Sequence, residues 1–174
     1  MKKIIKKFGF LVAVFAVLSC DDDIAEININ SDLTEQIAVS ATEANQNIAY
    51  ETTIDAKSDS DILENLEKIK EYQIESVTFR VTDYQGPETA NLSGALSVGN
   101  ASTTFSADIS SLNIKLFADE DYTISLSEEQ LDALEKILLD SNQLKINFSG
   151  SVSEAPLSFI LNVTVKTKVT VKAA

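Results

Sequence analysis

From Leu157 to Val171 the chain alternates. Leu157, Phe159, Leu161, Val163, Val165, Val169 and Val171 are apolar, and the positions between them are mostly Ser, Asn, Thr and Lys. A period of two marks a strand with one buried face, and such a strand needs a second layer to cover it. At ~3.3 Å per residue a strand of this length reaches about 50 Å, so the segment is expected to bend or to pass between two sheets.

The same period recurs upstream. Ile37-Ala38-Val39 opens a short strand, and Ile48, Tyr50, Thr52 and Ile54 follow at every second position. Val77, Phe79 and Val81 alternate with Thr78, Arg80 and Thr82, and Leu92 to Val98 begins another strand. Gly99-Asn100 has the composition of a two-residue hairpin turn, with Thr103, Phe105, Ala107 and Ile109 on the return. Leu112, Ile114 and Leu116, then Tyr122 to Leu126, then Leu144, Ile146 and Phe148 complete the set.

Two segments follow the helical period instead. Ile62, Leu63, Leu66 and Ile69 share one face, with Asp61 and Glu64 spaced as a capping pair, which predicts about three turns. Leu131, Leu134, Ile137 and Leu138 form a second stripe, with Ser127 as N-cap, Gln130 three residues on and Leu126 placed to staple against Leu131. "LENLEKI" at 63–69 and "LDALEKI" at 131–137 are alike, and each lies between pairs of strands. Two readings stay open: an internal ββαββ duplication, or a common helical idiom used twice.

The fold class that results is mainly β. About eight to ten strands form an antiparallel β-sandwich or a flattened barrel, with two short helices over an end or an edge.

The first residues follow a different logic. Lys2, Lys3, Lys6 and Lys7 precede an apolar run from Phe8 to Leu18, which is shorter than the ~20 residues that span a bilayer and has the layout of a secretory signal. It ends Val17-Leu18-Ser19-Cys20, and Cys20 is the only cysteine. This motif resembles the lipobox of bacterial lipoproteins, with Leu18 where a smaller residue is commoner. The resemblance implies removal of residues 1–19 and lipidation of Cys20. Each buried methylene of an acyl chain contributes ~0.8 kcal/mol, so two or more chains hold a domain to a membrane durably. Asp21-Asp22-Asp23 comes next and resembles the surface-export tag of Bacteroidetes lipoproteins. That implies a lipid-anchored protein on the outer face of the outer membrane. An aspartate there also resembles the inner-membrane retention signal of enterobacterial lipoproteins, and a periplasm-facing anchor or a plain acidic tether stays open. The expected organisation is a signal at 1–19, an acidic tether at 20–33 and one β-rich domain at 34–174.

Composition narrows the function. Without the signal's four lysines, 10 Lys and Arg remain against 27 Asp and Glu, about −17, a charge that will not seek nucleic acid. The chain has no histidine, which removes the usual general base, the commonest metal ligand and the near-neutral pH switch. With Cys20 committed to lipid, thiol chemistry goes too, and no cofactor is indicated.

Four features remain as candidate sites. Tyr84, Gly86 and Pro87 in "DYQGPET" form a loop that can stack on a sugar or peptide. Asp119-Glu120-Asp121 can offer oxygen ligands to calcium, although the EF-hand glycine and distal glutamate are missing, and a solvated turn is the simpler reading. Lys166, Lys168 and Lys172 share a face with Asn162, Thr164 and Thr170, as a surface for an anionic partner or as edge-strand protection. The helix stripes cover a sheet, or roof a cavity for a hydrophobic ligand.

The leading expectation is a non-enzymatic, lipid-anchored module that binds or assembles with an envelope protein or glycan. A carrier or sensor of a hydrophobic ligand held in the sandwich is the alternative. A carboxylate-based glycoside hydrolase comes third, because nothing singles out a pair of acids.

Overall fold

The computed structural model describes residues 25–173. Cys20 and Asp21–Asp23 lie outside the described residues, as does the segment 1–19 read as a signal. In chain order the elements are β1 (Glu26–Ala41), β2 (Ile48–Asp55), α1 (Ser60–Glu64), β3 (Ile69–Gln85), β4 (Asn91–Gly99) and β5 (Thr104–Asn113). There follow α2 (Ile114–Phe117), β6 (Asp121–Thr123), α3 (Glu128–Ser141), β7 (Gln143–Val152) and β8 (Leu157–Lys172).

The strands form two four-stranded antiparallel sheets, β1-β8-β3-β6 and β2-β7-β4-β5. They are two separate sheets, a sandwich rather than a closed barrel. Exchanging β1 with β5, β2 with β6, β3 with β7 and β4 with β8 turns the first order into β5-β4-β7-β2, the order of the second. This winding is that of a jelly roll, built from two Greek keys. The halves are therefore equivalent in topology, with α1 and α3 at corresponding places, although α1 has 5 residues and α3 has 14.

β8 is the axis of its sheet. It pairs with β1 along its whole length, from Glu26↔Lys172 to Ala41↔Leu157, and with β3 on its other side. It neither leaves its sheet nor crosses to the other; the irregularity falls on β3, whose register against β8 shifts at Ile69/Glu71, Ile74/Ser76 and Thr82/Gln85. Bulges of this kind bend and twist a strand without ending its pairing. The inward side chains of β8 are buried from Leu157 through Val171, including Thr167, which donates to the Ser31 carbonyl at 3.2 Å.

α3 follows its sequence signals. Ser127 Oγ accepts from Gln130 N–H, Gln130 Oε1 accepts from Ser127 N–H, and Leu134, Ile137 and Leu138 are buried. The helix packs against β3 and β7.

Other expectations need correction. β1 begins at Glu26, so the latter part of the segment read as a tether through residue 33 is strand, held by Ile29↔Val169 and Leu33↔Val165. α1 is a short helix flanked by 3-10 turns at Ala56–Ser58 and Leu66–Lys68. Its cap is Asp59, which accepts from the N–H groups of Asp61 and Ile62, so Asp61 and Glu64 are not the capping pair. Asn65 Nδ2 donates to the Asp61 carbonyl where the helix ends, and within the helix Ile62 is buried while Leu63 is exposed. The alternation at Leu112, Ile114 and Leu116 breaks because Asn113 Oδ1 accepts from Leu116 N–H at 2.9 Å, capping the single turn of α2 and turning Leu116 to solvent. The hairpin after β4 is longer than Gly99-Asn100: Gly99 pairs with Thr104, and Asn100 Oδ1 accepts from the N–H groups of Ser102 and Thr103.

Candidate functional site

The outer face of the β1-β8-β3-β6 sheet is almost wholly polar. Asp32, Thr34 and Gln36 come from β1, Asn162, Thr164 and Lys166 from β8, Thr78, Arg80 and Thr82 from β3, and Asp121 from β6. They line a groove of about 500 Å³ that opens to solvent. Strand register alone sets its order. Gln36, Asn162, Arg80 and Asp121 make one row across all four strands, and Thr34, Thr164, Thr78 and Thr123 make the next.

The first row is a chain of planar polar groups. Gln36 Nε2 donates to Asn162 Oδ1 at 2.9 Å, and Asn162 Nδ2 donates to Thr82 Oγ1 at 2.9 Å. Arg80 Nε donates to Asp121 Oδ1 at 2.8 Å. That hydrogen bond, reinforced by the guanidinium charge, holds the Asp121 carboxyl below the usual carboxylate range and raises Arg80. Arg80 carries five donors and this contact uses one, so a side chain that lines the groove keeps donor capacity for a ligand. In the threonine row, Thr34 and Thr164 share a hydrogen bond at 2.9 Å.

The lysine stripe belongs partly to this surface. Lys166 lines the groove and lies opposite Asp32 on β1. β8 is an inner strand, so the reading of Lys166, Lys168 and Lys172 as protection of an outer strand is corrected: both edges of β8 are already paired.

The structure brings Tyr84, Gly86 and Pro87 together, but in a turn closed on itself. Tyr84 Oη donates to the Pro87 carbonyl, and a Cβ built on Gly86 would lie 2.6 Å from Leu157 Cβ. Tyr84 is partly buried against the core, and burial and the Glu154 charge raise its hydroxyl. In the acidic turn Asp119 adopts φ 68°, its N–H bonds the Val81 carbonyl, and Asp121 is engaged by Arg80. Among the described residues no group of three or more His, Cys, Asp or Glu side chains is arranged to hold a metal ion.

A second recess, of about 340 Å³, opens at one rim of the sandwich between β5 and β6. Phe79, Ile109, Leu112, Tyr122 and Ile124 supply its apolar lining. The Tyr122 ring stacks on Phe79 at 5.1 Å and meets Phe117 edge-on at 5.3 Å. This recess lies at the rim, not beneath a helix, while α3 buries its own stripe directly on the core.

Sequence reasoning found only the β8 part of the polar groove, through Asn162, Thr164 and Lys166, and missed the apolar recess. The polar groove had a signal, since Thr78, Arg80 and Thr82 were read as the outward face of a strand. What the sequence withholds is which strands stand side by side.

No family model matches the chain, and no curated protein matches its sequence. Among solved structures it is similar to a chain from Desmodium yellow mottle tymovirus, at 12% identity and a TM-score of 0.42, covering 100% of this chain and 97% of that one. It is also similar to the decameric BFDV capsid protein, at 8% identity and a TM-score of 0.42, covering 82% and 99%. Turnip yellow mosaic virus gives 8% identity and a TM-score of 0.38, covering 86% and 95%. Likeness at these scores carries no inference about what the chain does.

Proposed function

We propose that the protein is a non-catalytic, lipid-anchored module of the bacterial cell envelope that binds a glycan on the outer face of the β1-β8-β3-β6 sheet. The observation that carries this reading is the row Gln36, Asn162, Arg80 and Asp121, which sets amide, guanidinium and carboxylate groups side by side across four strands. Adjacent hydroxyls of a sugar both donate and accept, and planar groups of this kind meet them two at a time. The threonine row beside it offers further donors and acceptors. An acidic protein favours a ligand without strong negative charge, and a neutral sugar meets that condition.

A hydrolytic role fits the groove less well. Glycoside hydrolysis needs two carboxyls free to flank the scissile bond, whereas of the groove's carboxyls Asp121 is bonded to Arg80 and Asp32 lies opposite Lys166. Anchoring through Cys20 and the tag at Asp21–Asp23 belongs to the same proposal, in which the ligand is met at the cell surface or, with a periplasm-facing anchor, within the envelope.

Isothermal titration with neutral oligosaccharides released from the host envelope tests the proposal. Binding that is lost in Arg80→Ala and Asn162→Ala, both surface changes, supports it. An absence of binding to every neutral fraction, or binding indifferent to both changes, overturns it.

A further inference from the structure

The two rims of the sandwich are not alike. At one, β1 and β2 run close together and Thr52 Oγ1 donates to Glu35 Oε1 at 3.1 Å. At the other, β5 faces β6, which has only 3 residues. β6 pairs with Thr78 to Arg80, Ile124 N–H adds one bond to the Val77 carbonyl, and the chain then leaves for α3.

β5 is the last strand of its sheet, paired with β4 alone. Among the described residues its outer edge has no backbone partner. Edge strands are ordinarily protected by lysine, proline or a covering segment, yet Thr104–Asn113 contains neither lysine nor proline. A bulge opposite Leu92/Gly94, with Ser111 at φ 48°, distorts only the end of the strand. The side chains of β5 alternate, with Phe105, Ala107 and Ile109 toward the core and Ser106 and Asp108 exposed. Beside this edge lies the apolar recess.

We propose that β5 accepts an extended peptide segment of another protein as an added strand, with alternate apolar side chains entering the recess and basic side chains lying beside Asp108. Strand addition draws affinity from main-chain hydrogen bonds and specificity from pockets for alternate side chains, and the β5 edge and the recess supply one of each. Charge fixes the kind of partner. Asp108 is the one charged residue of β5 and of the recess lining, which holds no lysine or arginine, and the adjoining segment 118–129 adds Asp119, Glu120, Glu128 and Glu129 besides the Asp121 that Arg80 engages. A basic segment is complementary to that rim. A second copy of this chain, at net charge −13, brings acid to acid. The proposal concerns a different surface from the glycan groove and stands independently of it.

The test uses the full lipidated chain in detergent micelles and a short synthetic peptide alternating lysine with phenylalanine and valine, with a glutamate-for-lysine peptide as control. Hydrogen exchange should slow at the amides of residues 104–113 with the basic peptide only. Asp108→Lys, at an exposed position, should weaken binding about fivefold and reduce its salt dependence. Failure of the basic peptide to bind, equal binding of the acidic one, or protection outside β5 overturns the proposal. Concentration-dependent dimerisation through β5 without peptide also overturns it, because the occupant is then a second copy.

Discussion

The carboxylate of Glu135 on α3 accepts the backbone N–H of Ile74 on β3 at 2.7 Å. Ile74 lies beyond the stretch of β3 that β6 covers, beside the register shift at Ile74/Ser76, and a helix side chain takes the place of a neighbouring strand. A buried N–H left without a partner costs about 1–3 kcal/mol. Glu135→Ala should lower stability by that amount in denaturant unfolding, and Glu135→Gln, which keeps an acceptor oxygen, should recover most of it. Equal loss in both variants would show that the contact is not what matters.

Tyr72 is 1% exposed, and its hydroxyl donates to Asn142 Oδ1 at 3.0 Å. Burial first, then the charges of Asp55 and Asp59, push it up from 10.0 to about 12. Between those values the unfolded chain has lost the phenolic proton and the folded chain keeps it, so stability falls as pH rises through this window. The expected loss is up to about 2 kcal/mol by the upper end. Unfolding followed across pH 9 to 12, a range of about three units that brackets the shift, should lose this slope in Tyr72→Phe.

Asp59 gives the opposite dependence. Burial raises its carboxyl, but the Ser31 hydroxyl and the N–H groups of Ile62 and Asp61 outweigh that and leave it below the ordinary value of 3.8. The unfolded carboxyl therefore binds a proton first on acidification, and the stabilisation present above 3.8 is lost as pH falls toward the folded value. Asp59→Asn should flatten the acid limb of the stability curve. Asn keeps an acceptor oxygen and should leave α1 capped, whereas Asp59→Ala should also fray it, seen as faster hydrogen exchange at Asp61 and Ile62.

Gly94 and Gly150 face one another on β4 and β7. A Cβ on Gly94 would lie 2.2 Å from the Ser149 carbonyl oxygen, and one on Gly150 would lie 2.5 Å from that of Ser93. Backbone atoms on a paired strand cannot swing aside as a side chain does. Either alanine substitution should cost about 1–3 kcal/mol, read as a lowered denaturant midpoint.

The anchoring proposal is tested on cells. In a host that exports such proteins, protease added to intact cells should digest the parent, should not reach a form with Asp21, Asp22 and Asp23 replaced by alanine, and should find Cys20→Ala released from the membrane. Protection of the parent until lysis would place the domain on the periplasmic side.

Alternation made the sandwich legible, because a strand with one apolar face leaves little choice of layer. α3 was legible for a local reason, since Ser127 and Gln130 satisfy each other within one turn. Elsewhere a single polar side chain overrode the pattern: Asn113 converted Ile114 and Leu116 from strand to helix. The groove was half legible. Which residues of β3 and β8 face outward follows from period two, but the row joining Gln36 to Asp121 depends on pairings between residues far apart in sequence. Thr167 illustrates the same limit: it holds an inward place among valines, and its partner Ser31 lies 136 residues away.

The position of β8 bears on how such a chain is made. The sheet that begins with Glu26 has no centre until Leu157–Lys172 has emerged, because β1 and β3 meet only through β8. Pairings of such long sequence separation form slowly. A chain released N-terminus first from the ribosome therefore holds β1 and β3 without their shared neighbour until its last strand is free, and the sheet closes as one of the final acts of synthesis.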